Sequence, residues 1–397
     1  MIEFVFDEAS VFSNGLHPKK CNILSHAGIT GDCVIDCSKY AVLPGFVDVH
    51  VHFRQPGFSY KETIASGSAA AAKSGYFAVC TMPNLNPVPD SLDNLEQQLE
   101  IIKRDAKINV LPFGSITKGQ KGTVLSDLEA LAPYVCGFSD DGVGVNDRGL
   151  MKEAMQRAYA LNKVISAHCE DNTQIKDSPE AEWKQIERDI LLADQTKVKY
   201  HVCHVSTKES VELIRKAKAE GVDITAETGP HYLTMDDSML MEDGRFKMNP
   251  PIRSRADREA LVKGIVDGTL DMIATDHAPH SAEEKSRGLA GSLFGVVGLE
   301  SAFAVLYTKL VLEGIITLEE LVRVMSVAPR ERFSVKSDAG FTVFDVGEEY
   351  EICPDNFLSK GRATPFEGWR VKGKCLLTVC DGQAVYTDKK LTDIKKD

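Results

Sequence analysis

The chain has 397 residues, enough for one large domain and a small one, and its 43% hydrophobic and 26% charged content excludes a disordered protein. A formal charge of −12 argues against nucleic acid or an anionic membrane as partner, because a phosphate surface selects clustered Lys and Arg. No apolar run reaches the length of a membrane span, and the opening MIEFVFDEAS carries acids where a secretion signal needs a basic start.

From about residue 42 to about 330, apolar β-branched runs alternate with runs of helical period. The strand-like runs are 43–53, 76–83, 108–116, 134–142, 163–170, 199–206, 221–229 and 271–279. Helix candidates follow the first (61–75), second (91–106), fourth (149–162) and sixth (207–221), and another (255–268) precedes the eighth. This alternation predicts an α/β fold with parallel strands. Eight units in nearly 300 residues suit a closed (β/α)8 barrel of TIM type over 43–340. Residues 1–42 and 341–397 read instead as short antiparallel β pieces, which predict one small β-sandwich domain built from both termini.

Ten cysteines are present, and Cys80, Cys136, Cys169 and Cys203 sit inside apolar runs, as buried free thiols of a reducing, cytoplasmic protein do. Cys33 and Cys37 are spaced to pair or to bind a metal, but no second pair stands at zinc-finger spacing.

The histidines are unevenly placed. His50 and His52 lie two apart on the first strand and so share a face, which in a barrel is the interior. His168 ends the fifth strand, His204 the sixth and Asp276 the eighth. A barrel brings its carboxyl strand ends to one mouth, so these residues predict a ligand set for Zn2+ or a similar borderline metal.

Several longer stretches carry a family resemblance. PGFVDVHVHFRQPG (44–57), MPNLNPVPD (82–90), FSDDGVGV (138–145), AHCEDN (167–172) and HVCHVSTKES (201–210) resemble motifs of the bacterial class I dihydroorotases, in the amidohydrolase superfamily. KMNPP (247–251), ATDHAPH (274–280), LFGVVGLE (293–300) and FLSKGRATPFEG (357–368) extend the similarity to about residue 370.

The resemblance implies a zinc enzyme that reversibly cyclises N-carbamoyl-L-aspartate to L-dihydroorotate in pyrimidine synthesis. It implies that His50, His52 and Asp276 hold a first Zn2+, and that His168 and His204 hold a second where there are two. Related hydantoinases bridge their metals with a carbamylated lysine at the end of strand four. This chain has Gly137-Phe138-Ser139-Asp140-Asp141-Gly142 there, so Asp141 is the expected bridging ligand, with Asp140 the alternative. A bound metal would activate water and polarise the amide carbonyl. Asp276 is the expected general base and acid, carrying the proton to the departing nitrogen.

For the substrate, Arg54 has the fork that suits a ring carboxylate. The resemblance adds Asn84, Asn249 and His280, with Phe294 and Gly295 touching the ring through backbone. His231 and His277 read as structural or supporting residues.

Two departures stand out. Gln55 occupies a place where the family usually has Glu, and the connection from His168 to His204, residues 172–198, is shorter than the family's. The glycine-rich RGLAGSLFG (287–295) is a candidate mobile cover. The competing readings are another cyclic amidohydrolase, of hydantoinase or allantoinase type, and a non-catalytic partner subunit. The family setting also implies a homodimer and an association with aspartate transcarbamoylase.

Overall fold

The computed structural model describes residues 2–5, 10–12, 18–20, 24–27, 40–335 and 340–392. Eight parallel strands form its centre: β1 (Phe46–Val51), β2 (Tyr76–Thr81), β3 (Asn109–Pro112), β4 (Gly137–Phe138), β5 (Val164–Ala167), β6 (Lys199–Val202), β7 (Ile224–Thr228) and β8 (Met272–Ile273). Hydrogen-bonded ladders join β1 to β3 and β4 to β8. Parallel bridges from Gly114 to Phe138 and from Val51 to His277 close the two sets into a ring. The strands are mostly apolar because both faces are covered: Phe46, Val47, Val49 and Val51 of β1 are all buried, and so are its two polar residues, Asp48 and His50.

Most of the long helices begin at a side chain that caps them. Helix α1 (Ile64–Lys73) starts at Thr63, whose hydroxyl accepts from Ser66 N in a capping box. Helix α2 spans Leu92–Asp105, and α3 spans Arg148–Ala160 with Asp147 accepting from Leu150 N. Helix α4 spans Pro179–Thr196, with Ser178 as its cap and Pro179 in its first turn. Helices α5 (Lys208–Ala219) and α6 (Arg255–Val266) are capped by Thr207 and Ser254. Most of the 172–198 connection is helix α4. Its Ile186, Leu192 and Ala193 are buried in the common core.

Strands from both ends of the chain share one sheet of six. Its order is Gln383–Thr387, Arg370–Cys380, Gly340–Glu351, Ala41–Pro44, Ser10–Phe12 and Pro18–Lys20. Phe341–Phe344 pair antiparallel with Ala41–Pro44, which pair parallel with Ser10 and Val11. A separate two-stranded ladder joins Ile2–Val5 to Leu24–Ala27. The six-stranded sheet abuts the amino end of the barrel, where the ring of Phe344 lies 4.1 Å from Phe303 and 5.6 Å from Phe46, centroid to centroid. Gly75, at a φ of 89°, lets this approach happen, since a Cβ there would stand 2.8 Å from the Phe344 ring.

Cys80, Cys169, Cys203, Cys375 and Cys380 are buried free thiols, and Cys136 and Cys353 are half-buried. Cys33 and Cys37 lie outside the described residues.

Candidate metal centre and substrate mouth

Strand alternation delivers His50 and His52 to the same side of β1, and both imidazoles are buried. Just past the strand ends, three non-glycine residues adopt left-handed backbone: Arg54 (φ 57°), His204 (φ 31°) and Asp276 (φ 47°). Such conformations cost about 1–3 kcal/mol each and persist where the surroundings impose them. Here the strain sits where the side chains converge.

The donor atoms of five strand ends crowd one point. Asp276 Oδ1 lies 3.0 Å from His52 Nε2 and 3.5 Å from His50 Nε2. Asp141 Oδ1 lies 3.3 Å from His50 Nε2, 3.5 Å from His204 Nε2 and 3.8 Å from His168 Nδ1, while its Oδ2 is 3.5 Å from His52 Nε2. His168 Nδ1 and His204 Nε2 face each other at 2.9 Å. Asp140 turns away. Its carboxylate accepts from Ile116 N, Thr117 N and the Thr117 hydroxyl, and so anchors the chain beyond β3.

These residues fit a metal ion. His50 Nε2 and Asp141 Oδ1 are shut off from solvent, yet neither has a hydrogen-bond partner among the described residues. They stand 3.3 Å apart, and each also lies within 3.5 Å of another donor of the cluster. Groups drawn from His50, His52 and Asp276, and from His50, Asp141 and His204, bring their donor atoms within 4.8 Å of one another. The two buried carboxylates carry a charge that demands compensation. Burial alone would raise Asp276, but His50 and His52 outweigh it and hold the carboxyl at about 2. Asp141 is held well below the usual carboxylate range in the same way, chiefly by His50 against its own burial. Imidazole nitrogen with carboxylate oxygen is a donor set for zinc and its neighbours rather than for Mg2+ or Ca2+.

A supporting layer, which the sequence reading did not single out, fixes these ligands. Glu227 at the end of β7 accepts from His50 Nδ1 at 2.7 Å and from His201 Nε2 at 3.1 Å. With Nδ1–H given to Glu227, His50 offers Nε2 to the centre. Asp48 accepts from His50 N and Thr275 N, which ties the first metal-bearing strand to the last. Glu170 stands 3.4 Å from His168 Nε2, leaving Nδ1 to face the site. Glu227 did leave a signal: a charge inside the buried strand ITAET.

The expected substrate residues ring the same mouth. Arg54 donates to Pro279 O at 3.3 Å, and one of its terminal nitrogens is 3.4 Å from His280 Nε2. Asn84 donates to Asp141 O at 2.7 Å, and Asn249 to Glu170 at 3.3 Å. His280 Nε2 lies 2.7 Å from Phe294 O, and Gly295 holds a φ of 129° that a side chain would strain. Gln55 does something different from clamping Arg54: its Oε1 accepts from Ile64 N and caps α1. His277 lies behind the site, its Nδ1 accepting from Gly298 N and its Nε2 3.5 Å from Glu62. His231 is buried against Tyr232, and burial holds it neutral with a pKa of about 4.

Comparisons with known proteins agree with this geometry. A family described as "Dihydro-orotase-like" matches residues 40–182. A protein of Fusobacterium nucleatum named "Dihydroorotase" is 48% identical over 392 residues, covering 92% of each chain. One of the same name from Bacillus cereus is 46% identical over 379 residues, covering 89% of each. Among solved structures, an L-hydantoinase (dihydropyrimidinase) from Arthrobacter aurescens superposes with a TM-score of 0.86 at 24% identity, covering 98% of this chain and 96% of that one. A D-hydantoinase from Bacillus sp. AR9 gives 0.85 at 21%, with the same coverage. At such identities the structural likeness speaks for the fold alone.

Proposed function

The chain belongs to the dihydroorotase family, whose members are hydrolases of cyclic amides, and from that premise we propose how its barrel mouth interconverts N-carbamoyl-L-aspartate and L-dihydroorotate. The observation that carries the proposal is the convergence of four imidazoles and two carboxylates on one buried point, with no hydrogen bond made by His50 Nε2 or Asp141 Oδ1 among the described residues. His50, His52 and Asp276 would hold one zinc ion, His168 and His204 a second, and Asp141 would bridge them. Zinc bound there would acidify a water and polarise the amide carbonyl.

The rest of the chemistry falls to the chain. Asp276 Oδ1 faces His50 and His52, which leaves Oδ2 to take a proton from the attacking water. As the ring C–N bond breaks, the same carboxyl delivers that proton to the departing nitrogen. In ring closure Asp276 removes the proton from the ureido nitrogen as the C–N bond forms, and hands it to the carboxyl oxygen that leaves. Arg54 receives the carboxylate through its fork, with Asn84, Asn249 and His280 around it and the Phe294–Gly295 backbone along the ring. A low-dielectric site with fixed donors strengthens each of these contacts.

The same proposal includes a small β-sandwich domain made by residues 1–42 and 341–397 around a catalytic barrel of 43–340. It also includes a cytoplasmic enzyme working as a homodimer that docks with aspartate transcarbamoylase, which sedimentation with and without that partner would test.

The functional test compares dihydroorotate with hydantoin as substrates, followed by ultraviolet absorbance. Dihydroorotate turned over by the wild type and not by Asp276→Ala is the expected result. Turnover of hydantoin alone, or full activity in Asp276→Ala, would contradict the assignment.

A further inference from the structure

Lys285 is a buried cation outside the chemistry described so far. Its side chain is packed beneath the segment that carries Phe294 and Gly295, and it is 7% exposed. The ammonium donates to three backbone carbonyls: Gly295 O at 2.7 Å, Leu293 O at 2.8 Å and Lys247 O at 3.0 Å. An ammonium has three N–H bonds, so its donors are fully used. No carboxylate forms an ion pair with it among the described residues. Burial, with Lys247 nearby, brings its pKa down to about 8. A buried cation without a counter-ion is an expensive way to gain stability, which turns attention to what it holds.

It holds one stretch of backbone. Lys285 fixes Leu293 O and Gly295 O, the carbonyls on either side of Phe294 O, and so anchors the bend that carries it. There Phe294 O meets His280 Nε2 at 2.7 Å. On the far edge of the same ring, His280 Nδ1 accepts from the Lys61 ammonium at 3.1 Å. His280 is thereby a neutral imidazole with its proton on Nε2. Gly295 N donates to Lys247 O at 3.0 Å, and Leu293 N to Glu284 O at 3.2 Å, so amides as well as carbonyls are engaged.

We propose that Lys285 is a positioning residue that makes the 287–295 segment a fixed rim of the substrate pocket, set before substrate arrives, rather than a cover that closes over it. This rests on the reading that His280 and the Phe294–Gly295 backbone touch the substrate. The rim acts through shape: with the peptide locked, His280 keeps one tautomer and one orientation, and binding spends no free energy on ordering the segment.

The test is a pair of variants and one measurement on the wild-type holoenzyme. Lys285→Met keeps the stem and removes all three donors. The KM for dihydroorotate should rise about tenfold while kcat stays within about threefold and metal content is unchanged. A lowered Tm with KM unchanged would assign Lys285 to fold stability and overturn the proposal. His280→Ala separates the two levels: a raised KM there with none in Lys285→Met sinks the rim alone, whereas no change in His280→Ala brings down the pocket reading and the rim with it. Should Lys285→Met fail to fold, hydrogen exchange of the wild type decides. Protection of the Leu293 and Gly295 amides without substrate is expected; protection that appears only with dihydroorotate would show a closing cover and overturn the proposal.

Discussion

The two ends of this barrel are built from the same eight strands and obey opposite rules. At the amino end, Phe46, Phe77 and Phe303 are buried together with Phe344 of the six-stranded sheet, and the guanidinium of Arg330 lies 4.2 Å from the centre of the Phe77 ring while donating to Gly45 O. At the carboxyl end, buried polar atoms are left unpaired, three residues are held in left-handed backbone, and two carboxylates are pressed among four imidazoles. One end gathers aromatic rings and the other gathers metal-binding donors. A barrel can afford that because the fold's stability is supplied far from where its chemistry is done.

Substitutions at the two ends should therefore separate stability from activity. Asp276→Ala is expected to lower turnover roughly 10^4-fold, about 5.4 kcal/mol of barrier, with the thermal midpoint near that of the wild type. Kinetics beside a melting curve checks both halves. At the opposite end, Phe344→Ala should cost about 3–4 kcal/mol of stability through the cavity it opens, read by denaturant unfolding. The KM for dihydroorotate of the folded fraction should not move. Unchanged stability there would break the contrast.

Smaller effects sharpen it. Glu227→Gln leaves the mouth intact but weakens the acceptor that fixes His50, so zinc affinity should fall about 10–100-fold in competition with a chelator. An affinity equal to wild type would mean His50 is oriented by packing alone. Thr63→Ala removes the cap of α1, away from the donor atoms, and should cost about 1 kcal/mol with metal affinity unaltered.

What the sequence disclosed follows the same division. All eight strands could be placed, since each is a short, mostly apolar run and most adjoin a helix of clear period, and His50, His52, His168, His204 and Asp276 stand at or just beyond their ends. Choosing between Asp140 and Asp141 by residue type alone was out of reach. Only three-dimensional structure shows one carboxylate occupied by Thr117 and Ile116 and the other facing the histidines. Glu227 escaped because its value lies in a partner 177 residues away, and Lys285 because its partners are backbone carbonyls that no side-chain pattern reveals. Gln55 shows the converse. Read in the sequence as a neighbour of Arg54, it turns its amide oxygen to the first amide of a helix.

The central claim is that the strand-end donors of this chain hold the metal on which dihydroorotate turnover depends. It is tested most directly by elemental analysis and turnover measured together while a chelator strips the protein and zinc is added back. One or two equivalents of zinc, with activity falling and returning in proportion to the bound metal, is the predicted result. Turnover that persists after the metal is gone, or zinc restored in full without turnover, would contradict it.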